Sequence, residues 1–313
     1  MIEDRSPRYL SLHAAGGLVE RARAAVARMS NCDLCARYCR VDRLASVAGA
    51  ACRTGRRAVV ASAGAHFGEE RPITGSRGSG TVFFAWCNLR CIYCQNWEIS
   101  WQGEGREVSA EELADIMLSL QRQGCHNVNL VSPSHVVAQI LEALAIAADR
   151  GLRIPLVYNT GGFDSPEALA LLDGVIDIYM PDIKYADPDV ARKHSKVHDY
   201  VRLNRAAVVE MHRQVGDLVL DSQGIAVQGL LVRHLVLPNG LAGTTETLQF
   251  LAEHVSRETY LNIMDQYRPG YRAAAHAELA RRPTRAELTA AFEAADRLGL
   301  RRLDDRTGSW LLA

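Results

Sequence analysis

Apolar positions recur along this chain in two alternating rhythms. Short runs rich in Val, Ile and Leu occur at residues 81–86, 127–132, 155–159, 175–181, 231–238 and 260–264, and they read as strands. Between them lie stretches with helical spacing, several opened by recognisable caps. Ser109 with Glu112 predicts a capping box ahead of ELADIMLSLQRQ, and Thr284 with Glu287 predicts another. Ser165-Pro166 offers an N-cap followed by proline at the first helical position, and Ser134 is placed to cap VVAQILEALAIAADR. Residues 218–229 read as a hairpin around Ser222-Gln223-Gly224. Strands this apolar, alternating with helices, mean a parallel sheet covered on both faces. Six such units fit an α/β fold of the (βα)6 partial TIM barrel type, and a doubly wound open sheet stays open as the alternative. In both, chemistry belongs at the carboxyl ends of the strands.

Upstream of the strands the pattern changes. Residues 17–29 form a short amphipathic helix, a cysteine-rich segment runs to about residue 55, and HFGEERPITGSRGSG reads as an ordered loop or turn series. The expected division is an N-terminal helix and cysteine-rich segment at 1–75, the partial barrel at 76–270 and a C-terminal helical extension at 271–313. Lys+Arg and Asp+Glu both number 36 in the 313 residues, so formal net charge is zero. That balance argues against a nucleic-acid or membrane-surface role. No apolar run reaches the length of a membrane span, and the opening MIEDRSPRYL lacks a signal-peptide core. Eight cysteines in clustered spacing, without targeting signals, point to a reducing, cytoplasmic setting.

The sharpest chemical signal is Cys87, Cys91 and Cys94 in TVFFAWCNLRCIYCQNW, directly after the first strand. Three thiolates within eight residues can bind three irons of a [4Fe-4S] cluster and leave the fourth for a small molecule, whereas structural zinc and electron-transfer sites close with four ligands. An aromatic residue, Tyr93, precedes the third cysteine. This CxxxCxxC loop resembles the signature of the radical S-adenosylmethionine (radical SAM) superfamily. The resemblance implies that S-adenosylmethionine (SAM) chelates the open iron. An electron from the cluster would then cleave SAM to methionine and a 5′-deoxyadenosyl radical, which takes hydrogen from a substrate. The set CDLCARYCRVDR, HFGEE, GSGTVFF, CNLRCIYCQN, NVNLVSPSH, YNTGG, MPDIKYAD, VRHLVLP and MDQYRP is similar to the pyruvate formate-lyase-activating enzyme-like branch, over roughly residues 30–270.

The same resemblance assigns cofactor contacts at the later strand ends. Ser132 and Ser134 stand where the superfamily commonly carries Gly-Gly-Glu, and their hydroxyls can accept from the SAM ammonium. Asn159, in YNTGGF, falls at an aspartate of the activating enzymes. Asp182 and Lys184 alternate on one side of an extended segment, suited to the ammonium or ribose and to the carboxylate of SAM. Asn96 matches a residue in the Cys-His-Asn stretch of the activating enzymes. On the fifth strand only one of Arg233 and His234 can face inward, and His234 reads as a satisfied core residue. Met264, Asp265, Gln266 and Tyr267 fall near the expected barrel mouth.

Two further cysteine features stand apart. Cys32, Cys35, Cys39 and Cys52 form C-x2-C-x3-C-x12-C, which can close around zinc or an auxiliary [4Fe-4S] cluster, or remain unmetallated. Cys125 stands alone before the second strand. It reads as a buried structural thiol, with a catalytic hydrogen-atom donor as the sharper alternative.

The expected activity is therefore redox chemistry by a metal-binding radical SAM enzyme on a small-molecule, sugar or peptide substrate, with epimerisation or a similar redox-neutral change as the outcome. The alternatives are activation of a glycyl-radical protein and a non-catalytic iron–sulfur or zinc protein. Flavodoxin or ferredoxin is the expected class of electron donor, and neither nucleic acid nor membrane is expected as a partner.

Overall fold

The computed structural model describes residues 6–304, so the outermost residues of the expected terminal segments, 1–5 and 305–313, lie outside the described residues. The strands are β1 (Ala58–His66), β2 (Ser79–Phe84), β3 (Arg106–Val108), β4 (Val128–Val131), β5 (Leu156–Thr160), β6 (Ile178–Pro181), β7 (Val219–Leu220), β8 (Ala226–Leu235) and β9 (Tyr260–Met264). The helices are α1 (Arg8–Ala14), α2 (Gly17–Arg28), α3 (Arg71–Thr74), α4 (Ala110–Arg122), α5 (Val137–Asp149), α6 (Pro166–Leu172), α7 (Pro188–Ser195), α8 (Tyr200–Val215), α9 (Thr244–His254) and α10 (Arg285–Arg297).

Six strands run parallel in the order β2-β4-β5-β6-β8-β9, and they are the six the apolar runs predict. Among the described residues no ladder joins β9 back to β2, so the barrel is partial and open. On the β2 side the sheet continues through β1, antiparallel to β2, and then β3, antiparallel to β1. Neither was expected, because β1 (AVVASAGAH) is Ala- and Gly-rich and its outer half is exposed. Its pairing with β2, and not its own propensity, makes it a strand. The predicted hairpin forms as β7 against β8, and β8 runs on without a break into the fifth parallel strand.

Local chemistry sets the helix starts. Both capping boxes form, and Ser165 caps α6 with Pro166 at its first position. Ser134 does not cap α5. Ser132 takes a left-handed conformation (φ 58°), the chain makes a short 3-10 turn at Pro133–His135, and α5 starts behind Val136 without a side-chain cap.

Successive strand residues face opposite ways. Leu156, Tyr158, Tyr179, Leu230 and Val232 pack into the main core with the helices. Val157, Ile178, Met180 and Leu231 turn to the other face, the barrel interior, where the fully buried Ile73 of α3 meets them. The loop before the first parallel strand is thus a plug for one end of the barrel. Burying Ile73 contributes about 2–3 kcal/mol.

Candidate active site

The cysteine loop leaves the carboxyl end of β2 through Trp86, whose φ of 65° turns the chain out of the strand. Backbone bonds hold the loop in place. Arg90 and Ile92 donate to the carbonyls of Ser195 and His194 at the end of α7 (3.0 and 2.9 Å), and the Ile92 carbonyl accepts from the Arg272 amide (2.9 Å). Tyr93 is buried and packs edge-on against Tyr185 and Tyr267. The aromatic of the motif is therefore an anchor behind the loop.

The three sulfurs are individually supported. Cys91 Sγ lies 2.9 Å from Ser195 Oγ, which also meets Tyr185 Oη at 2.7 Å. Cys94 Sγ lies 3.1 Å from Ser100 Oγ, and the Leu89 amide donates to Cys87 Sγ at 3.4 Å. Burial pushes the Cys87 thiol up, and pushes Cys91 up to about 12 against the lowering field of Lys184. Unliganded, Cys87 and Cys91 stay neutral, whereas metal coordination deprotonates a thiol.

All three cysteines border one cavity of about 460 Å³. Asn96, Ser132, Asn159, Asp182 and Lys184 line the same cavity, together with Met264, Asp265 and Gln266. Lys184 Nζ pairs with Asp182 Oδ2 at 2.5 Å. Burial acts to lower the Lys184 pKa, but Asp182 and Cys91 outweigh it and hold the ammonium charged. The donor set fits an iron–sulfur cluster with one open iron. Three soft sulfur ligands border one cavity with a half-buried ion pair and the amides of Asn96 and Asn159.

Other expected residues lie elsewhere. Ser134 is buried beneath the cavity and bonded to Thr160 Oγ1 (2.9 Å), in a network with Asp164 and Tyr158. Tyr267 is also buried, and its hydroxyl donates to the Leu279 carbonyl. Cys125 sits in the main core at the amino end of β4, with its Cβ against Gly80, and it does not border the cavity. His234 is buried between the Ile183 carbonyl and Thr244 Oγ1, as its core reading anticipates.

Sequence reasoning missed another part of the cavity lining. Arg233 faces the cavity and is chelated by Glu70 (Nε to Oε1 2.7 Å, Nη2 to Oε2 2.6 Å) and by Glu69. Asn262 of β9 also donates to Glu70 Oε1 at 2.6 Å. Burial acts against the Glu70 carboxylate, but Arg233 holds it below the usual range. The signal available in the sequence was the acidic doublet of HFGEE. Its partner lies 163 residues further on.

The sequence matches the Radical SAM superfamily over residues 81–213. It is also 30% identical over 280 residues to "Uncharacterized protein MJ0674" of Methanocaldococcus jannaschii, covering 86% of this chain and 75% of that protein. The chain belongs to the radical SAM superfamily. The solved structures it resembles are more distant. A Streptococcus suis SuiB structure bound to precursor peptide SuiA is 12% identical with a TM-score of 0.44, covering 67% of this chain. This chain spans only 43% of that SuiB chain. Methylornithine synthase (PylB) is 15% identical with a TM-score of 0.46, covering 70% of this chain and 61% of its own.

This superfamily member has a further cluster behind the cysteine loop. His194, His276 and Glu278 bring one possible ligand atom each within 4.8 Å of one another. Lys193 already pairs with Glu278 at 2.5 Å, so that carboxylate has a cation. No helix among the described residues is long and apolar enough to cross a membrane.

Proposed function

We propose that Cys87, Cys91 and Cys94 hold a [4Fe-4S] cluster whose open iron takes SAM, and that the enzyme removes a hydrogen atom from a small-molecule, sugar or peptide substrate. The observation that carries this reading is the convergence of three cysteine sulfurs and the Asp182–Lys184 pair on one cavity at the strand ends. When bound, the cluster supplies the electron that splits SAM into methionine and the 5′-deoxyadenosyl radical.

The remaining work falls to this chain's own residues. Lys184 offers a permanent cation to the SAM carboxylate, while Asp182 and Asn159 offer acceptors to its ammonium or ribose hydroxyls. Ser132 presents its hydroxyl from a strained left-handed position on the same wall. Ser195 and Ser100 offer hydroxyls to the sulfurs of Cys91 and Cys94 and stabilise them as anions. The Arg233–Glu69–Glu70 group carries one more negative than positive charge, which suits a substrate that presents hydroxyl or ammonium donors.

A small substrate is favoured over a glycyl-radical partner protein. The plug loop with Glu69 and Glu70 is tied to β8 and β9, so this part of the cavity is walled by the chain itself. A cavity of about 460 Å³ is the size of a small-ligand site. The setting we propose is the cytoplasm, with a flavodoxin or ferredoxin as reductant.

The test is anaerobic reconstitution with iron and sulfide, followed by SAM and dithionite, with 5′-deoxyadenosine measured by chromatography. Cleavage that candidate substrates stimulate, with deuterium passing from substrate into 5′-deoxyadenosine, is the expected result. An intact cluster that never cleaves SAM would refute the proposal.

A further inference from the structure

Two arginines outside the cavity, Arg43 buried and Arg37 half-buried, have no carboxylate among their hydrogen-bond partners. Arg43 is 2% exposed. Its guanidinium donates to the carbonyls of Thr54 (2.7 Å) and His135 (2.8 Å) and to Cys32 Sγ (3.4 Å), so no carboxylate is among its acceptors. Arg37 donates to the carbonyls of Asn88 (2.6 Å) and Lys196 (2.7 Å), and its remaining Nη2 is buried without a partner. A buried cation without an anion costs several kcal/mol. Around Arg43 stand Cys32, Cys35 and Cys52, and Arg37 lies within electrostatic reach of Cys35 and Cys39 on one side and Cys87 and Cys91 on the other. Thiolates would supply the missing charge, and buried thiols become thiolates when a metal binds them.

The two cysteine groups are neighbours. The amide of Ala36, next to Cys35, and the side-chain Nδ2 of Asn88, next to Cys87, donate to the same carbonyl, that of Phe163 (3.4 and 2.6 Å). Arg90, between Cys87 and Cys91, donates to the carbonyl of Ala51, the residue before Cys52. Tetrahedral zinc would draw its sulfurs to about 3.8 Å from one another, given Zn–S bonds of about 2.3 Å. Zinc in that site would be redox-inert, whereas the adjacency of the two cysteine groups favours a metal group that exchanges electrons.

We propose that Cys32, Cys35, Cys39 and Cys52 bind a second [4Fe-4S] cluster, closed by four thiolates, which passes electrons one at a time to the cluster at Cys87, Cys91 and Cys94. The relay, though not the second cluster itself, rests on the function proposed above. An external one-electron donor, dithionite in the test, reduces the second cluster from the 2+ to the 1+ state. The second cluster returns to 2+ as that electron moves on, and no proton or bond changes hands.

The experiment uses the full chain, reconstituted anaerobically, in three forms: wild type, the triple variant Cys87→Ala/Cys91→Ala/Cys94→Ala, and the double variant Cys32→Ala/Cys35→Ala. Metal content and the EPR spectrum after dithionite are measured with and without SAM. About eight irons per chain are expected in the wild type and about four in each variant. The triple variant keeps an EPR signal that SAM does not alter. The fully reduced wild type gives a spectrum broadened by coupling between two nearby spins, unlike the sum of the two variants. A triple variant that carries zinc and no iron overturns the second cluster, whether or not the double variant folds. A wild-type spectrum equal to the sum overturns the relay. SAM-insensitive signals in the wild type and the double variant, with the triple variant still holding about four irons, remove the function proposed for the first site and with it the relay, and leave the second cluster standing.

Discussion

Replacing Arg233 with Met tests whether the Arg233–Glu69–Glu70 part of the cavity wall is an electrostatic unit. Arg233 is the shared cation of two carboxylates whose side chains are 8% and 1% exposed, Glu69 and Glu70. The variant keeps much of the side-chain volume but strands both anions. His66 Nδ1 near Glu69 (3.2 Å) and Asn262 near Glu70 (2.6 Å) compensate only in part. Breaking a buried pair by removing one partner costs about 3–5 kcal/mol. At roughly 2–4 °C per kcal/mol for a chain of this size, the melting temperature should fall by roughly 6–20 °C. The loss should also depend on pH. In the variant, burial and the neighbouring carboxylate raise the folded-state pKa of the Glu70 group above its unfolded value, so the folded state binds a proton that the unfolded state does not. Stability of the variant is then recovered as pH falls, and its deficit against wild type should be smaller at about pH 5.5 than at about pH 8. Urea unfolding followed by circular dichroism at both pH values measures this. A deficit under about 1 kcal/mol, or one equal at both pH values, would show that the wall is not held by paired charge.

Three further outcomes are expected. Ser195→Ala removes the hydroxyl 2.9 Å from Cys91 Sγ, so the midpoint potential of the first cluster should drop, by about 60 mV or less for a lost bond of about 1.5 kcal/mol; an unchanged potential in an EPR-monitored titration refutes that contact. Lys184→Met should weaken SAM binding to the reconstituted protein about tenfold or more, and equal affinity in equilibrium dialysis would remove Lys184 from the cofactor site. His135 and His234 are held neutral by burial, with pKa values lowered to about 3 and about 4. Unfolded histidines take up protons near pH 6.5 while these two do not, so each contributes stability above that pH that is lost as pH falls toward about 3 for His135 and about 4 for His234. Imidazole NMR resonances that titrate near pH 6.5 in the folded protein would refute this.

What the sequence made legible follows from the range of the interactions involved. The six parallel strands, both capping boxes and the Ser165 cap depend on residues a few positions apart, and periodicity and cap chemistry reveal them. The alternation that put Asp182 and Lys184 on one face is equally local, and both side chains do border the cavity. Ser134 shows where local reading fails. The same serine could cap a helix or lie beneath the strand ends, and the left-handed turn at Ser132 decides for the second. Non-local features were out of reach. β1 exists because β2 offers it an edge, and Arg233 faces the cavity because Glu69 and Glu70 enter the barrel interior from a segment that reads only as a loop or turn series.

Cys125 draws together the local rule and its geometric consequence. A residue just before a parallel strand stands at the amino end of the sheet, and catalytic groups collect at the carboxyl ends. Its sulfur belongs to the core shared by α4 and β2, and Gly80 is small enough to let it in: a Cβ on Gly80 would stand 3.1 Å from that of Cys125 and 2.6 Å from the Asn127 carbonyl. A hydrogen-atom donor has to approach the substrate carbon, and here the whole depth of the sheet lies between this thiol and the cysteine loop. A hydrogen atom returned to a substrate radical must therefore come from a group at the cavity, not from Cys125.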